Sequence, residues 1–158
     1  MKSRVKLSRF SLIMTIVAMA LLLYGLYATY GNPHKFALLV AIIAILLIVS
    51  LFYCPVSISA QEEGVLVHSP LKRHSIPMRR IVKVERFIPT MGSIRIFGSG
   101  GFMGYWGIFK EGDVGRYVAY YGKSSDCFII HLDNGDKYVV GCENPDEMVD
   151  YIYSKIAK

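Results

Sequence analysis

The sequence predicts a two-span α-helical membrane hairpin followed by a mainly-β domain that one C-terminal helix closes. Three observations support this fold class. Two uncharged apolar runs stand near the start of the chain, apolar and polar residues alternate after Pro55, and an amphipathic pattern with a helix-start signal ends the sequence. The chain has 158 residues, and the part after the apolar runs has the usual size of one compact domain.

The two apolar runs cover residues 10–30 and 36–53, which are 21 and 18 residues long and contain no ionisable Asp, Glu, Lys, Arg or His. A helix needs about 20 mainly apolar residues to cross a hydrocarbon core. We therefore expect transmembrane helices over residues 10–30 and 36–54, with an external turn at residues 31–35. Gly31 can end the first helix, and Pro33 cannot continue it. The lack of charge inside the spans argues for an anchor rather than a transport pathway.

Positive charge is concentrated at the N-terminus. Lys2, Arg4, Lys6 and Arg9 give residues 1–9 a charge of +4, whereas residues 55–158 carry 13 Lys and Arg against 12 Asp and Glu. The formal net charge of +6 therefore does not indicate nucleic-acid binding. Because short basic flanks stay in the cytoplasm, we expect a basic cytoplasmic N-terminus at residues 1–9 and a cytoplasmic domain at residues 55–158.

A cleaved signal peptide is the alternative interpretation of residues 2–28. The basic start fits it, but the apolar stretch is longer than the usual 7–15 residues or so. Bulky side chains also occupy the place of a small-residue cleavage site, and a second apolar run follows directly. We therefore favour the retained hairpin.

After Pro55 the pattern predicts about seven strands. The clearest signal is Asn134-Gly135 between two β-rich runs, which indicates a two-residue hairpin turn. That turn would place Ile130 opposite Val139 and Cys127 opposite Cys142. The pair would be hydrogen-bonded and poorly spaced for a disulfide, so we expect thiols.

The last segment predicts a helix over about residues 145–157. Asn144 is a suitable N-cap, Pro145 fits the first helical position, and Asp146 and Glu147 favour the positive end of the helix dipole. Apolar residues then recur on one face.

The chain resembles the small bacterial membrane proteins that carry a pleckstrin-homology-like (PH-like) domain after two transmembrane helices. The resemblance covers residues 56–156 and rests on the order of elements, the Gly-rich segment Gly100–Gly107, the final hairpin and the Asn-Pro-Asp-Glu helix start. It implies a PH-like barrel of about seven strands closed by the C-terminal helix. It also implies a bacterial membrane protein, and it transfers no catalytic residue. Together with the basic N-terminal flank, it leads us to expect an inner-membrane protein with both termini in the cytoplasm.

A basic segment is the first candidate site. It consists of Lys72, Arg73, Arg79, Arg80, Lys83 and Arg86. Near the inner leaflet, each such charge contributes about 1 kcal/mol of attraction to anionic lipid. The alternative is a solvated strand face, because strand alternation divides the set between two faces.

The Gly-rich segment is the second candidate. Its residues Phe102, Met103, Tyr105 and Trp106 could contact a partner or the membrane from a flexible loop. The alternative is that the glycines permit a bulge or tight strand connection. A phosphate-binding loop is a weaker interpretation, because the spacing does not match GxGxxG and no helix is predicted to follow.

No pattern of nucleophile and base or of metal-ligand spacing is present, so we expect no catalytic residues, metal or cofactor. The function we predict is a membrane-anchored binding or assembly module that engages a protein partner or itself. Two alternatives stay open: an accessory subunit of a membrane enzyme or transporter complex, and a module that binds anionic lipid headgroups through residues 72–86.

Overall fold

The computed structural model describes residues 1–157, which form two long helices and a two-sheet domain with a C-terminal helix. The helices are α1 (Arg9–Thr29), α2 (Pro33–Tyr53) and α3 (Pro145–Ile156). The strands are β1 (Lys2–Arg4), β2 (Ser57–Ala60), β3 (Gly64–His68), β4 (Arg73–Pro77), β5 (Ile81–Arg86), β6 (Ile94–Gly101), β7 (Gly104–Glu111), β8 (Gly115–Tyr121), β9 (Cys127–Leu132) and β10 (Lys137–Gly141). Single 3₁₀ turns occur at Met78–Arg80 and Ser124–Asp126.

Helices α1 and α2 are both long and apolar enough to span a membrane. Ser8 caps α1 by accepting a hydrogen bond from the Ser11 N–H at 3.1 Å. Asn32 caps α2 in the same way, and Pro33 occupies the first turn, where its missing N–H costs nothing. Helix α2 consequently begins three residues before the expected boundary at residue 36.

Four antiparallel strands form the first sheet in the order β1-β2-β3-β4. Strand β1 was not predicted, because its three residues carry no apolar alternation. It pairs with β2, although both long helices separate the two strands in the sequence. The Val5 N–H donates to the Val56 carbonyl at 3.0 Å, which extends the pairing beyond β1.

Six strands form the second sheet in the order β5-β9-β10-β8-β7-β6, with β8 and β10 parallel and the other neighbours antiparallel. Residues 1–157 therefore contain ten strands, where about seven were expected. The Gly-rich segment accounts for part of the difference, because it forms the end of β6 and the start of β7 rather than a loop.

The two sheets enclose the main core, and α3 packs across β2 of the first sheet and β5 and β9 of the second. Met148 and Ile152 of α3 are fully buried in this core. The architecture fits the PH-like fold that the resemblance implies. The two sheets do not join into one closed hydrogen-bonded barrel, and the C-terminal helix α3 packs against both of them.

The β9–β10 hairpin forms with a register that differs by one residue from the prediction. Tyr138 lies opposite Ile130, and Gly141 lies opposite Cys127. The turn is a three-residue loop in which Gly135 adopts a φ of 85°, so Asn134-Gly135 is not a two-residue turn. Cys127 and Cys142 are consequently not opposite each other, and both are buried free thiols.

Candidate functional site: an aromatic cleft beside α2

A cleft of about 470 Å³ lies where the two sheets fail to join. One wall is residues 72–76, which comprise most of β4, the free edge of the first sheet. The opposite wall comes from β6, β7, β8 and β10 of the second sheet, and Tyr53 at the C-terminal end of α2 adds a third side. The cleft is thus assembled from both sheets and a long helix.

Four aromatic rings form a continuous stack in this cleft. Tyr53 stacks on Trp106 with ring centroids 5.9 Å apart and on His74 at 5.5 Å. His74 in turn contacts the Tyr120 ring at 5.1 Å. Because the rings come from α2, β4, β7 and β8, their packing fixes the end of α2 against both sheets.

Backbone carbonyl groups at the C-terminal end of α2 accept hydrogen bonds from β4 and from the loop that precedes it. The Leu71 N–H donates to the Leu51 carbonyl at 3.1 Å, and His74 Nε2 lies 3.3 Å from the Phe52 carbonyl oxygen. These contacts satisfy carbonyl groups that a helix end leaves unpaired. Since a carbonyl only accepts, Nε2 carries the proton in this bond, and Nδ1 faces the Tyr120 hydroxyl at 3.5 Å.

The surroundings of His74 and Tyr120 favour the neutral form of each side chain. Burial lowers the pKa of His74, the bond to the Phe52 carbonyl opposes this shift, and the Lys72 charge adds to it. Burial raises the pKa of Tyr120 to about 12. These two residues therefore present uncharged aromatic faces to the cleft.

Trp106 is the one tryptophan of the chain and is 6% exposed. Its indole Nε1 is buried and has no hydrogen-bond partner among residues 1–157. A buried indole N–H normally finds a partner, because leaving it unpaired costs free energy. The wall of the cleft thus contains a hydrogen-bond donor, the Trp106 indole N–H, that is not paired within residues 1–157.

The structure divides the predicted basic segment between the cleft and other parts of the surface. Lys72 and Arg73 line the cleft. The remaining four basic residues do not line it, and Arg79 is exposed on a 3₁₀ turn. The other three form ion pairs: Arg80 with Asp133 at 3.1 Å, Lys83 with Glu85 at 2.7 Å and Arg86 with Asp146 at 3.0 Å. The segment therefore contributes two cations to one rim.

The predicted contact residues of the Gly-rich segment also separate. Trp106 joins the cleft, whereas Tyr105 stacks on Tyr121 at 4.8 Å within the second sheet. Phe102 and Met103 form the tip of the β6–β7 hairpin, and this tip rests on the long helices. The Met103 N–H donates to Thr15 Oγ1 at 2.9 Å, and Cys54 Sγ donates to the Met103 carbonyl at 3.1 Å.

The sequence did not identify four residues that line the cleft, namely Tyr53, Phe97, Tyr120 and Tyr138. Alternation marked Tyr120 as a strand residue, but no local signal relates it to the end of α2. His74 was noted only as a member of the basic segment. Among the described residues, no group of three or more His, Cys, Asp or Glu side chains could hold a metal ion.

A protein-family model described as bacterial PH domain matches residues 56–156, nearly two thirds of the chain. The chain belongs to the bacterial PH domain family. Comparisons with curated proteins and with solved structures find no match. The PH domain begins one residue before β2 and ends with α3, so β1 and both long helices lie outside it. Tyr53 shows that the cleft of this PH domain is completed by a helix that the domain itself does not contain.

Proposed function

We propose that this chain is a membrane-anchored PH-domain module, without catalytic activity of its own, that binds an extended segment of a protein partner in the aromatic cleft. The cleft would face the cytoplasmic side of the bacterial inner membrane. The observation that carries the proposal is the free edge of β4 along one wall of the cleft.

The pairing of β3 and β4 decides which backbone groups are available. The Ser69 N–H donates to the Lys72 carbonyl at 2.8 Å, and the Met78 N–H donates to the Glu63 carbonyl at 2.9 Å. Lys72 and Met78 thus have backbone groups that face β3. Because such bonds recur at every second residue of an antiparallel pair, the backbone groups of Arg73 and Ser75 point away from β3. An extended peptide could therefore add to this edge by main-chain hydrogen bonds.

The side chains around the edge indicate the chemistry of the segment. Tyr53, Trp106 and Tyr120 supply apolar faces with polar tips, which favour apolar or aromatic side chains of the peptide. Lys72 and Arg73 on the rim favour a segment with acidic residues. We therefore expect a short extended segment that combines both.

The membrane topology is part of the proposal and is supported by β1. Because β1 and β2 belong to one sheet, the start of the chain and the PH domain lie on the same side of any membrane that α1 and α2 cross. The four basic residues before Phe10 favour the cytoplasm as that side. Cleavage after residue 28 would remove β1, which supports the retained hairpin.

Site-specific photocrosslinking in native membranes tests the proposed function. A photoreactive amino acid at Tyr138, which lines the cleft, should give a discrete protein adduct, and one at the exposed Tyr153 of α3 should not. Ser75→Pro should abolish the adduct, because it removes an edge donor while leaving the bonds to β3 intact. Ser75→Ala is the matched control and should retain it.

An adduct of twice the chain's mass would identify the partner as a second copy. An adduct that survives Ser75→Pro at full yield would contradict strand addition, and the absence of any protein adduct at Tyr138 would contradict the function.

A further inference from the structure

A second cavity, with a more apolar lining than the aromatic cleft, lies between the long helices and the β6–β7 hairpin. It is a groove of about 480 Å³, a volume typical of small-molecule sites. Leu21, Leu22 and Leu46 line its helical side, and Gly98, Ser99 and Phe102 line the hairpin side. Trp106 stands at the boundary between this groove and the cleft.

The groove is apolar except at one point. Ser50 and Ser99 also line it, but their hydroxyls donate to the carbonyls of Leu46 and Phe102, each at 2.7 Å. Arg95 is the only charged residue of the lining. Within residues 1–157 its guanidinium makes no hydrogen bond or ion pair.

The direction of the Arg95 side chain can be fixed from its neighbours. Its Nη1 lies 3.4 Å from the place of a Cβ atom on Gly100, and a Cβ on Gly101 would lie 3.4 Å from Phe10 and 3.6 Å from Met14. The Arg95 side chain therefore extends along β6 toward the hairpin tip, and the residue next to Gly100 is the one that contacts Phe10 and Met14 of α1.

The groove lies beside the apolar part of the helices. On α1 its lining runs from Ala18 to Leu22, four residues that correspond to a rise of about 6 Å, and on α2 it includes Leu46 and Val49. A single cation and an apolar lining beside the helices match the two parts of a phospholipid. Edge strand β6 continues the apolar surface, since Ile94, Ile96 and Phe97 are exposed by 67, 53 and 63%.

We infer that this groove is a specific site for one anionic phospholipid of the inner leaflet, with its phosphate on Arg95 and one acyl chain along the groove. The inference rests on the membrane insertion proposed above, but not on partner binding in the cleft. Guanidinium groups bind phosphate through two parallel hydrogen bonds, and Arg95 has its donors free. The lipid would also neutralise a cation that lies beside transmembrane helices.

Tryptophan fluorescence provides the test, because Trp106 is the sole tryptophan and borders the groove. The full-length protein is reconstituted in vesicles of phosphatidylcholine with a minority of phosphatidylglycerol, and bromine is placed on the chains of one lipid or the other. We expect the fraction of Trp106 fluorescence quenched by brominated phosphatidylglycerol to exceed the value that its mole fraction in the bilayer predicts. We call this excess the enrichment. Arg95→Gln should reduce this enrichment about fivefold, the effect of one charge near an anionic lipid.

Two further variants separate the parts of the site. Ala18→Phe should reduce the enrichment with Arg95 intact, because it fills the groove. Arg116→Gln removes an exposed cation on β8, away from the helices, and should leave the enrichment unchanged. Native mass spectrometry of the detergent-solubilised protein should show one retained phosphatidylglycerol in the wild type and none in Arg95→Gln.

The inference is overturned if wild-type quenching follows bulk lipid composition, or if Arg95→Gln leaves the enrichment unchanged. It is also overturned if sodium phosphate relieves the quenching, since the site would then bind the free anion. Flotation with the vesicles checks membrane insertion separately. Photocrosslinking at Tyr138 is likewise independent, so failure at one site is distinguishable from failure at the other.

Discussion

Gly98 and Gly107 lie opposite each other on β6 and β7, with φ values of 108° and 121°. A Cβ atom on Gly98 would lie 2.1 Å from the Trp106 carbonyl oxygen, and one on Gly107 would lie 2.2 Å from that of Phe97. Both contacts are with backbone, which cannot move aside as a side chain can. The glycine pair therefore permits the close strand approach that sets Trp106 between the cleft and the groove.

Gly98→Ala and Gly107→Ala should each lower the free energy of unfolding by at least about 1–3 kcal/mol, the cost of one strained backbone position. Denaturant unfolding of the detergent-solubilised protein, followed by Trp106 fluorescence, measures this. Gly112→Ala is the matched control, because a Cβ atom there meets nothing within 4 Å. It should change stability by no more than about 0.5 kcal/mol. Equal stability of the Gly98 and Gly112 variants would contradict the steric argument.

Single residues also show what local sequence can determine. Asn134-Gly135 correctly predicted a hairpin between β9 and β10, because glycine adopts positive φ easily. The predicted loop length was wrong, since a two-residue type I′ turn needs positive φ at both positions and only Gly135 has it. The aromatic residues of the cleft lie far apart in the chain, and only tertiary packing brings Tyr53 to Trp106.

Among the elements, β1 makes the least expected contribution. The two long helices are evident from their uncharged apolar runs, and the C-terminal helix and most strands have a periodicity that the local sequence shows. Strand β1 has three residues, two of them basic, and its partner β2 lies beyond both long helices. No local pattern can indicate such a pairing. The same holds for the groove, which needs α1, α2 and the β6–β7 hairpin together.

Val5→Pro should release the N-terminal segment from β2, because it removes the N–H that donates to the Val56 carbonyl at 3.0 Å. The loss should raise deuterium uptake at residues 57–60 in hydrogen-exchange mass spectrometry of the full-length protein. Val5→Ala keeps the N–H and should show a smaller increase. Equal deuterium uptake at residues 57–60 in the two variants would show that backbone pairing does not hold the N-terminal segment against β2.

At the scale of the whole molecule, the proposed topology places residues 31–35 outside and the PH domain inside. Single-cysteine labelling tests it, since the three native thiols of Cys54, Cys127 and Cys142 are at most 7% exposed. With a membrane-impermeant maleimide, His34→Cys should react in intact spheroplasts. Asn134→Cys, on an exposed hairpin, should react only after permeabilisation. Labelling of Asn134→Cys in intact spheroplasts would contradict the topology.

The pairing of β1 with β2 has a consequence for biogenesis. Residues 2–4 are synthesised first, but their strand partners leave the ribosome only after both helices. In the proposed topology, a chain that inserted a single helix would hold β1 and β2 on opposite faces of the bilayer, and the first sheet would lack its edge. In that topology, completion of the first sheet would therefore require that both helices have crossed the bilayer.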